Sequence, residues 1–247
     1  MLVESAGNLT RQVVVNMGRS IVLGEYPVDT ALPPEPALCA AYGTSRTILR
    51  EAVKMLTAKG LLNARPRRGT VVEPERKWNL TDPDVLTWLL HRKHSLVLIQ
   101  EFTEMRLALE PVAAGLAATR LTPELAQNME AAIKRMEAAE NGQDDPLESD
   151  IAFHISVLEA TQNRFFINMQ YMVEVALRVS IRLTNRFKGV KLADVDDHRR
   201  VLDCILAGDT QSAEAAMRSL IMEAKVFLNQ ARRLEQGEVD SEVDVAE

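Results

Sequence analysis

From Leu96 to Glu235 the apolar residues recur at helical spacing in successive segments: Leu96–Arg120, Pro123–Asn141, Leu147–Thr161, Phe165–Arg186, Val195–Ala207 and Ser212–Glu235. Alternation of period two, the mark of a half-buried strand, is absent from this stretch. Amphipathic helices joined by short polar turns bury their stripes against one another, so this part predicts an all-α antiparallel helical bundle. Its many Ala, Leu and Met residues suit the seams between helices. Gly208 ends one helix and Asp209 is placed to cap the next. The acidic tail after Glu235 is expected to be disordered. With 247 residues in all, there is room for a second domain ahead of the bundle.

The beginning of the chain reads differently. Leu9, Val13, Val14, Met17, Ile21 and Val22 give a first helix over Asn8–Leu23, stopped at Gly24. Pro33-Pro34 pre-set a short second helix through Ala41. Thr44 or Ser45 can cap a third, whose stripe is Ile48, Ala52, Met55 and Leu56 and which ends at Gly60. Its first turns carry Ser45, Arg46, Thr47 and Arg50, hydroxyls beside guanidinium arms. In helix-turn-helix docking this is the end that enters the major groove, where Arg can fork onto guanine and hydroxyls can hold phosphates. Leu61–Ala64 and Thr70–Val72 then read as two short strands around Arg65-Pro66-Arg67-Arg68-Gly69, a hairpin tip that forms a wing. Such a charge run is by itself an ordinary solvated face; its position behind a helix-turn-helix favours phosphate contact.

Net charge supports the division. The chain carries −6 overall, yet residues 1–77 hold 11 Lys+Arg against 7 Asp+Glu, while residues 78–247 hold 18 against 28. A basic head on an acidic body is expected if only the head meets nucleic acid. No apolar run approaches the ~18 residues that span a bilayer, and the first residues lack a basic stretch leading into an apolar one. Cys39 and Cys204 lie within apolar helical patterns and read as small, reduced core residues. The expectation is a cytoplasmic protein with no membrane partner.

The string Gly24-Glu25-Tyr26, Leu32-Pro33-Pro34-Glu35, Tyr42-Gly43-Thr44-Ser45-Arg46, Leu49-Arg50-Glu51-Ala52, Lys59-Gly60-Leu61-Leu62 and Arg67-Arg68-Gly69-Thr70-Val71-Val72 resembles the signature of GntR-type bacterial regulators. By that resemblance Ser45, Arg46, Thr47 and Arg50 fall on the DNA-contacting helix, and Arg68 and Gly69 on the wing tip. Pro36 stands where many members of the fatty-acid-regulator branch carry Arg, so a base contact made there elsewhere is missing. Arg106–Ala114, Asp150–His154, Asp197–Arg199 and Ala207–Arg218 resemble the effector domain of the FadR branch, known as FCD. That likeness implies a homodimer on a palindromic duplex operator. Composition and helical patterning, read with that likeness, divide the chain into three parts: a winged helix-turn-helix over 1–77, a helical effector-binding and dimerisation domain over 78–235, and the tail 236–247.

Composition marks a linker near residue 77, where Pro74 and Pro83 flank many charges. Trp78 and Trp88 read as packing anchors between domains. His91 and His94, at the end of an apolar helix over Val85–Leu90, read as surface residues.

Within the bundle, Asp150 and His154 are four residues apart, so both face one way and can chelate Zn²⁺ or another divalent ion, with His198 approaching from another helix. The competing reading is an ordinary polar pair with His198 packed nearby. In metal-binding members of the branch a further His follows, and its place falls here on Leu220. Arg106 matches an arginine that faces the pocket in relatives, and a charge on an apolar helix face needs a partner. It is the first candidate for an effector carboxylate, with Arg182 and Asn185 behind it. The segment Trp78–Trp88, with Asn8–Val72 before it, is similar to that of a sugar-acid regulator, which implies an aldonate such as galactonate as effector.

Three functions compete. The first is a repressor released from its operator by a sugar acid, with an activator or a different carboxylic acid still open. The second is a metal-dependent enzyme using Asp150, His154 and His198, for which no motif supplies a general base. The third is an architectural DNA-binding protein, for which the bundle is more than the role requires.

Overall fold

The computed structural model describes the backbone of residues 2–92, 96–184 and 194–235, and the side chains of 9–92, 96–178, 180, 194–226, 228 and 229. The chain forms two compact units, Met1–Lys93 and His94–Glu247. His94, Asn185 and the tail 236–247 lie outside the described residues, as does the side chain of Arg182.

The first unit contains α1 (Leu2–Val22), α2 (Glu35–Ala41), α3 (Arg46–Ala58), the strands β1 (Leu62–Arg65) and β2 (Gly69–Val72), a single 3-10 turn at Glu75–Lys77, and α4 (Pro83–Leu90). Val13, Val14, Met17 and Ile21 of α1 are buried, as are Leu49, Ala52 and Leu56 of α3, and the two helices pack together. Ser45 adopts an extended backbone, and its side chain accepts from Ile48 N at 3.4 Å to start α3. The helix ends where Gly60 takes φ +77; a Cβ there would lie 2.3 Å from the Lys77 carbonyl, so only glycine fits. The strands pair antiparallel from Leu62 opposite Val72 to Arg65 opposite Gly69. Helix α2 begins at Glu35, one residue later than Pro34, because Pro33 precedes a proline and Pro34 is itself extended.

The unit runs past residue 77 to include α4. Asp82 caps α4 by accepting from Asp84 N and Val85 N. Lys59, at the end of α3, reaches Asp82 at 2.7 Å and Asp84 at 2.8 Å, and Arg11 of α1 forks onto Asp84 at 2.5 and 2.6 Å. The hydrogen bonds from Arg11, ahead of the opposing cost of partial burial and joined by Lys59, hold Asp84 down from 3.8 to about 2. Trp88 lies against Gly18, where a Cβ would stand 2.3 Å from the indole ring. Trp78 is buried, donates from Nε1 to the Glu73 carbonyl at 2.8 Å and carries Arg92 over its ring at 5.1 Å. Both tryptophans therefore pack inside the first unit, which corrects their reading as anchors between domains. The two cysteines are free and half-buried rather than core residues. His91 is exposed, with Nδ1 2.6 Å from the Thr87 carbonyl.

The second unit is a bundle of α5 (Leu96–Arg120), α6 (Pro123–Glu140), α7 (Pro146–Ala160), α8 (Arg164–Asn168), α9 (Gln170–Thr184), α10 (Val195–Leu206) and α11 (Thr210–Glu235). Helix α5 packs along α11 and α7, α6 along α7, and α10 against α5, α6 and α11. Thr122, Asp145, Asn163 and Asp194 each cap a helix through a side-chain oxygen, and Asp209 accepts from Ser212 N at 3.0 Å. Pro111 sits inside α5 and cannot donate to the Leu107 carbonyl. Arg218 of α11 donates to that carbonyl instead, at 3.4 Å. The segment expected as one helix from Phe165 divides into α8 and α9, because Met169 N and Met172 N bond to the third residue back, tightening the chain into a turn. No helix among the described residues is long and apolar enough to cross a membrane.

Two outcomes follow for the first unit. Gly18→Ala ordinarily favours a helix, but here the methyl meets the Trp88 ring, so stability should drop by about 1–3 kcal/mol and the melting temperature should fall with it. An unchanged or raised melting temperature would show that the contact is slack. A depressed carboxylate contributes stability above its unfolded pKa and loses it as pH falls through its folded one. The melting-temperature gap between wild type and Asp84→Asn should therefore close between about pH 4 and pH 2. A gap independent of pH would contradict the pairing.

Candidate functional site

The residues read as DNA contacts lie together on the first unit. Ser45, Arg46, Thr47 and Arg50 are exposed on the N-terminal half of α3, and Arg68 and Gly69 are exposed at the hairpin tip. Arg67 takes φ +65 at the same tip, and Arg68 donates to the Asp29 carbonyl at 3.5 Å. Arg65 is turned inward, 3.3 Å from the buried Glu73, so the tip presents Arg67 and Arg68. Arg50 donates from Nε to Glu35 at 3.2 Å, and Arg46 Nε lies 3.8 Å from the same carboxylate. Glu35 was not singled out by pattern, since an acidic residue at a helix start is ordinary.

The second unit holds a buried polar centre. Asp150, His154 and His198 each offer a ligand atom within 4.8 Å of the others, and all are buried. Helix α7 supplies the first pair, one turn apart as expected, and α10 supplies His198. Asp150 Oδ1 lies 3.2 Å from His154 Nε2 and 3.3 Å from His198 Nε2. Arg106 of α5 joins them: its Nη2 is 3.2 Å from His154 Nε2, while its guanidinium also forks onto Glu110. Glu110 Oε2 in turn lies 2.6 Å from His154 Nδ1. Glu110 is thus a member of the centre that sequence reasoning did not select. The signal was present, since Ile99, Phe102, Arg106, Glu110, Ala113 and Ala117 share one buried stripe of α5.

The hydrogen-bond roles restrict the chemistry. His198 Nδ1 is 2.8 Å from the Asp194 carbonyl, which only accepts, so Nδ1 carries the proton and the neutral ring leaves a lone pair on Nε2. That lone pair faces Asp150 Oδ1, another acceptor, and both atoms are buried without a hydrogen-bond partner. Two facing acceptors out of water call for a cation between them, either a proton that makes the ring an imidazolium or a metal ion. His154 has the matching arrangement, with Glu110 on Nδ1 and Asp150 before Nε2. Such outer carboxylates commonly orient a metal-ligating imidazole. The donor set, one carboxylate and two imidazoles, suits a divalent ion such as zinc. Burial opposes charge on each group, yet the mutual pairing prevails. Glu110 is lowered to about 2 by Arg106 and His154, Asp150 is held below the usual carboxylate range by the two histidines, and His154 is raised by Glu110 and Asp150 against Arg106.

Comparison with known proteins agrees with both halves. Residues 9–72 match the model for bacterial regulatory proteins of the gntR family, and residues 101–223 match the FCD domain. The chain is 31% identical to the galactonate operon transcriptional repressor of Escherichia coli (strain K12), over 87% of this chain and 94% of that one. It is 33% identical to the uncharacterized HTH-type transcriptional regulator YieP of the same strain, over 87% and 93%. The fold is also similar to a solved structure of Lar, described as controlling expression of the Listeria monocytogenes agr system, with TM-score 0.54 at 16% identity over 90% and 96% of the two chains. With the winged head matched over residues 9–72 and the helical bundle over 101–223, the chain belongs to the GntR family of bacterial transcriptional regulators and, like its relatives, is a regulator and not an enzyme.

Proposed function

We propose that this regulator is a repressor of a sugar-acid catabolic operon, acting in the cytoplasm as a homodimer on a palindromic operator and released when an aldonate such as galactonate binds the FCD domain. The observation that carries the reading is the buried centre, where Asp150 Oδ1 and His198 Nε2 face each other uncompensated beside the Arg106 guanidinium. A polyhydroxy acid brings a carboxylate for the guanidinium and hydroxyl donors for the acceptors. The galactonate operon repressor among the relatives supports the same class of acid. Arg182 and Asn185 are the remaining candidates for effector contact, and Ser45, Arg46, Thr47, Arg50, Arg68 and Gly69 those for DNA contact. The acid shifts operator occupancy only by as much as its affinity differs between the DNA-bound and free states.

The same centre would hold a divalent ion through Asp150 Oδ1, His154 Nε2 and His198 Nε2. When bound, the ion would supply a Lewis-acidic site for effector or water oxygens. Glu110 and the Asp194 carbonyl fix the two rings with Nε2 inward, and Arg106 keeps Glu110 ionised.

Fluorescence anisotropy on operator DNA, with and without a panel of aldonic acids, tests the function. Salt-sensitive binding released by one aldonate is expected. Release by a different carboxylic acid would retain the repressor and replace the aldonate, and binding that no acid alters would sink the effector reading. Calorimetric titration of metal-stripped protein with Zn²⁺ should show saturable binding that Asp150→Asn and Glu110→Gln weaken. Affinity should also drop as pH falls, because a raised His154 keeps its proton against the metal. Absence of saturable binding near neutral pH would remove the metal from the proposal.

A further inference from the structure

Arg46 and Arg50 stand one helical turn apart on α3, and both bring Nε towards the same carboxylate. Glu35 Oε2 accepts from Arg50 Nε at 3.2 Å, while Oε1 lies 3.8 Å from Arg46 Nε. A carboxylate in the first turn of a helix ordinarily serves that helix. Here α2 has no side-chain cap, and Glu35 Oε1 is buried without a hydrogen-bond partner. The side chain of Glu35 is 31% exposed, whereas those of Arg46 and Arg50 are 72% and 68% exposed, so the acid lies beneath and the guanidinium tips reach past it.

An arginine reads guanine by presenting two parallel N–H groups to O6 and N7. A free arginine samples many rotamers and meets phosphate as readily as a base. An arginine engaged through Nε keeps Nη1 and Nη2 as its outward pair, in a restricted set of directions. We propose that Glu35 is a positioning residue for operator reading: it orients Arg46 and Arg50 through their Nε atoms and determines sequence specificity without touching a base. The inference rests on the reading of these arginines as base contacts. It carries an unusual sign. A carboxylate beside the DNA backbone repels phosphate, so Glu35 weakens binding to arbitrary DNA while sharpening the choice of operator.

The test uses the full chain and an operator selected by the wild-type protein from a random duplex pool. Anisotropy titrations compare that duplex with a scrambled one for wild type, Glu35→Gln, Glu35→Ala, Arg46→Ala, Arg50→Ala and the Glu35→Ala/Arg50→Ala double variant. The Glu35 variants should bind scrambled DNA at least as tightly as wild type and lose about tenfold in the ratio of specific to non-specific affinity. In the Arg50→Ala background the same change should have a clearly smaller effect, since the two residues act as a unit. Folded Glu35 variants with an unaltered ratio would overturn the proposal. So would equal weakening on both duplexes with a lowered melting temperature, the mark of a merely structural residue. If Arg46→Ala and Arg50→Ala themselves leave the ratio unchanged, the reading of α3 as the base-contacting helix fails first, and the role of Glu35 falls with it.

Discussion

An ionised group in an apolar bundle must be compensated on the spot, and the second unit is arranged around that requirement. Arg106, Glu110, His154, Asp150 and His198 form one chain of contacts through α5, α7 and α10, ending on the Asp194 carbonyl. Phe153 packs edge-on against both histidines, at 5.8 and 5.0 Å, and closes the polar chain off from the remaining core. Sliding any of the three helices by one residue would strand a buried charge, at a cost of about 3–5 kcal/mol. The centre therefore sets the register of the bundle as well as offering a place for a ligand. Its two unpartnered acceptors, Asp150 Oδ1 and His198 Nε2, are the atoms on which the proposed metal or acid would act.

The DNA-binding head uses the same residue types in the opposite regime. Its Glu35 pairs with Arg46 and Arg50 lie at the surface, with both arginines largely exposed, where an ion pair is worth about 0–1 kcal/mol and is screened by salt. Such pairs contribute little to folding and leave the arginines available to phosphate and base. Rigidity comes from the apolar packing of α1 on α3 and from the Lys59, Asp82, Asp84 and Arg11 cluster behind them.

Much of this was legible in the sequence because helical periodicity and capping residues act locally. The pattern of Leu96–Arg120 gives that helix to its ends, Asp209 is a cap in the structure as in the sequence, and of the two cap candidates Thr44 and Ser45 the structure uses Ser45. The candidate DNA contacts and the Asp150, His154 and His198 cluster follow from spacing and from family likeness, and the structure brings each set together. What stayed hidden depends on neighbours distant in sequence. Glu110 looks like any acidic helix residue until α7 brings His154 to it, and Glu35 looks like a dipole residue until α3 turns two arginines over it. The break at Met169 has no mark in the sequence because its residues are all compatible with a helix, and only hydrogen bonds reaching three residues back instead of four distinguish it.

The contact between Gly18 and Trp88 redraws the limits of the head. By sequence helix α4 falls in the effector domain that starts at residue 78, yet its indole fills a notch on α1 that exists because residue 18 has no side chain. A fragment cut at residue 77 would leave that notch open to water and Arg11 of α1 without its Asp84 partner. The compact unit that carries the winged helix thus extends through α4, and a helix that the sequence assigns to the effector domain is part of the head's own core.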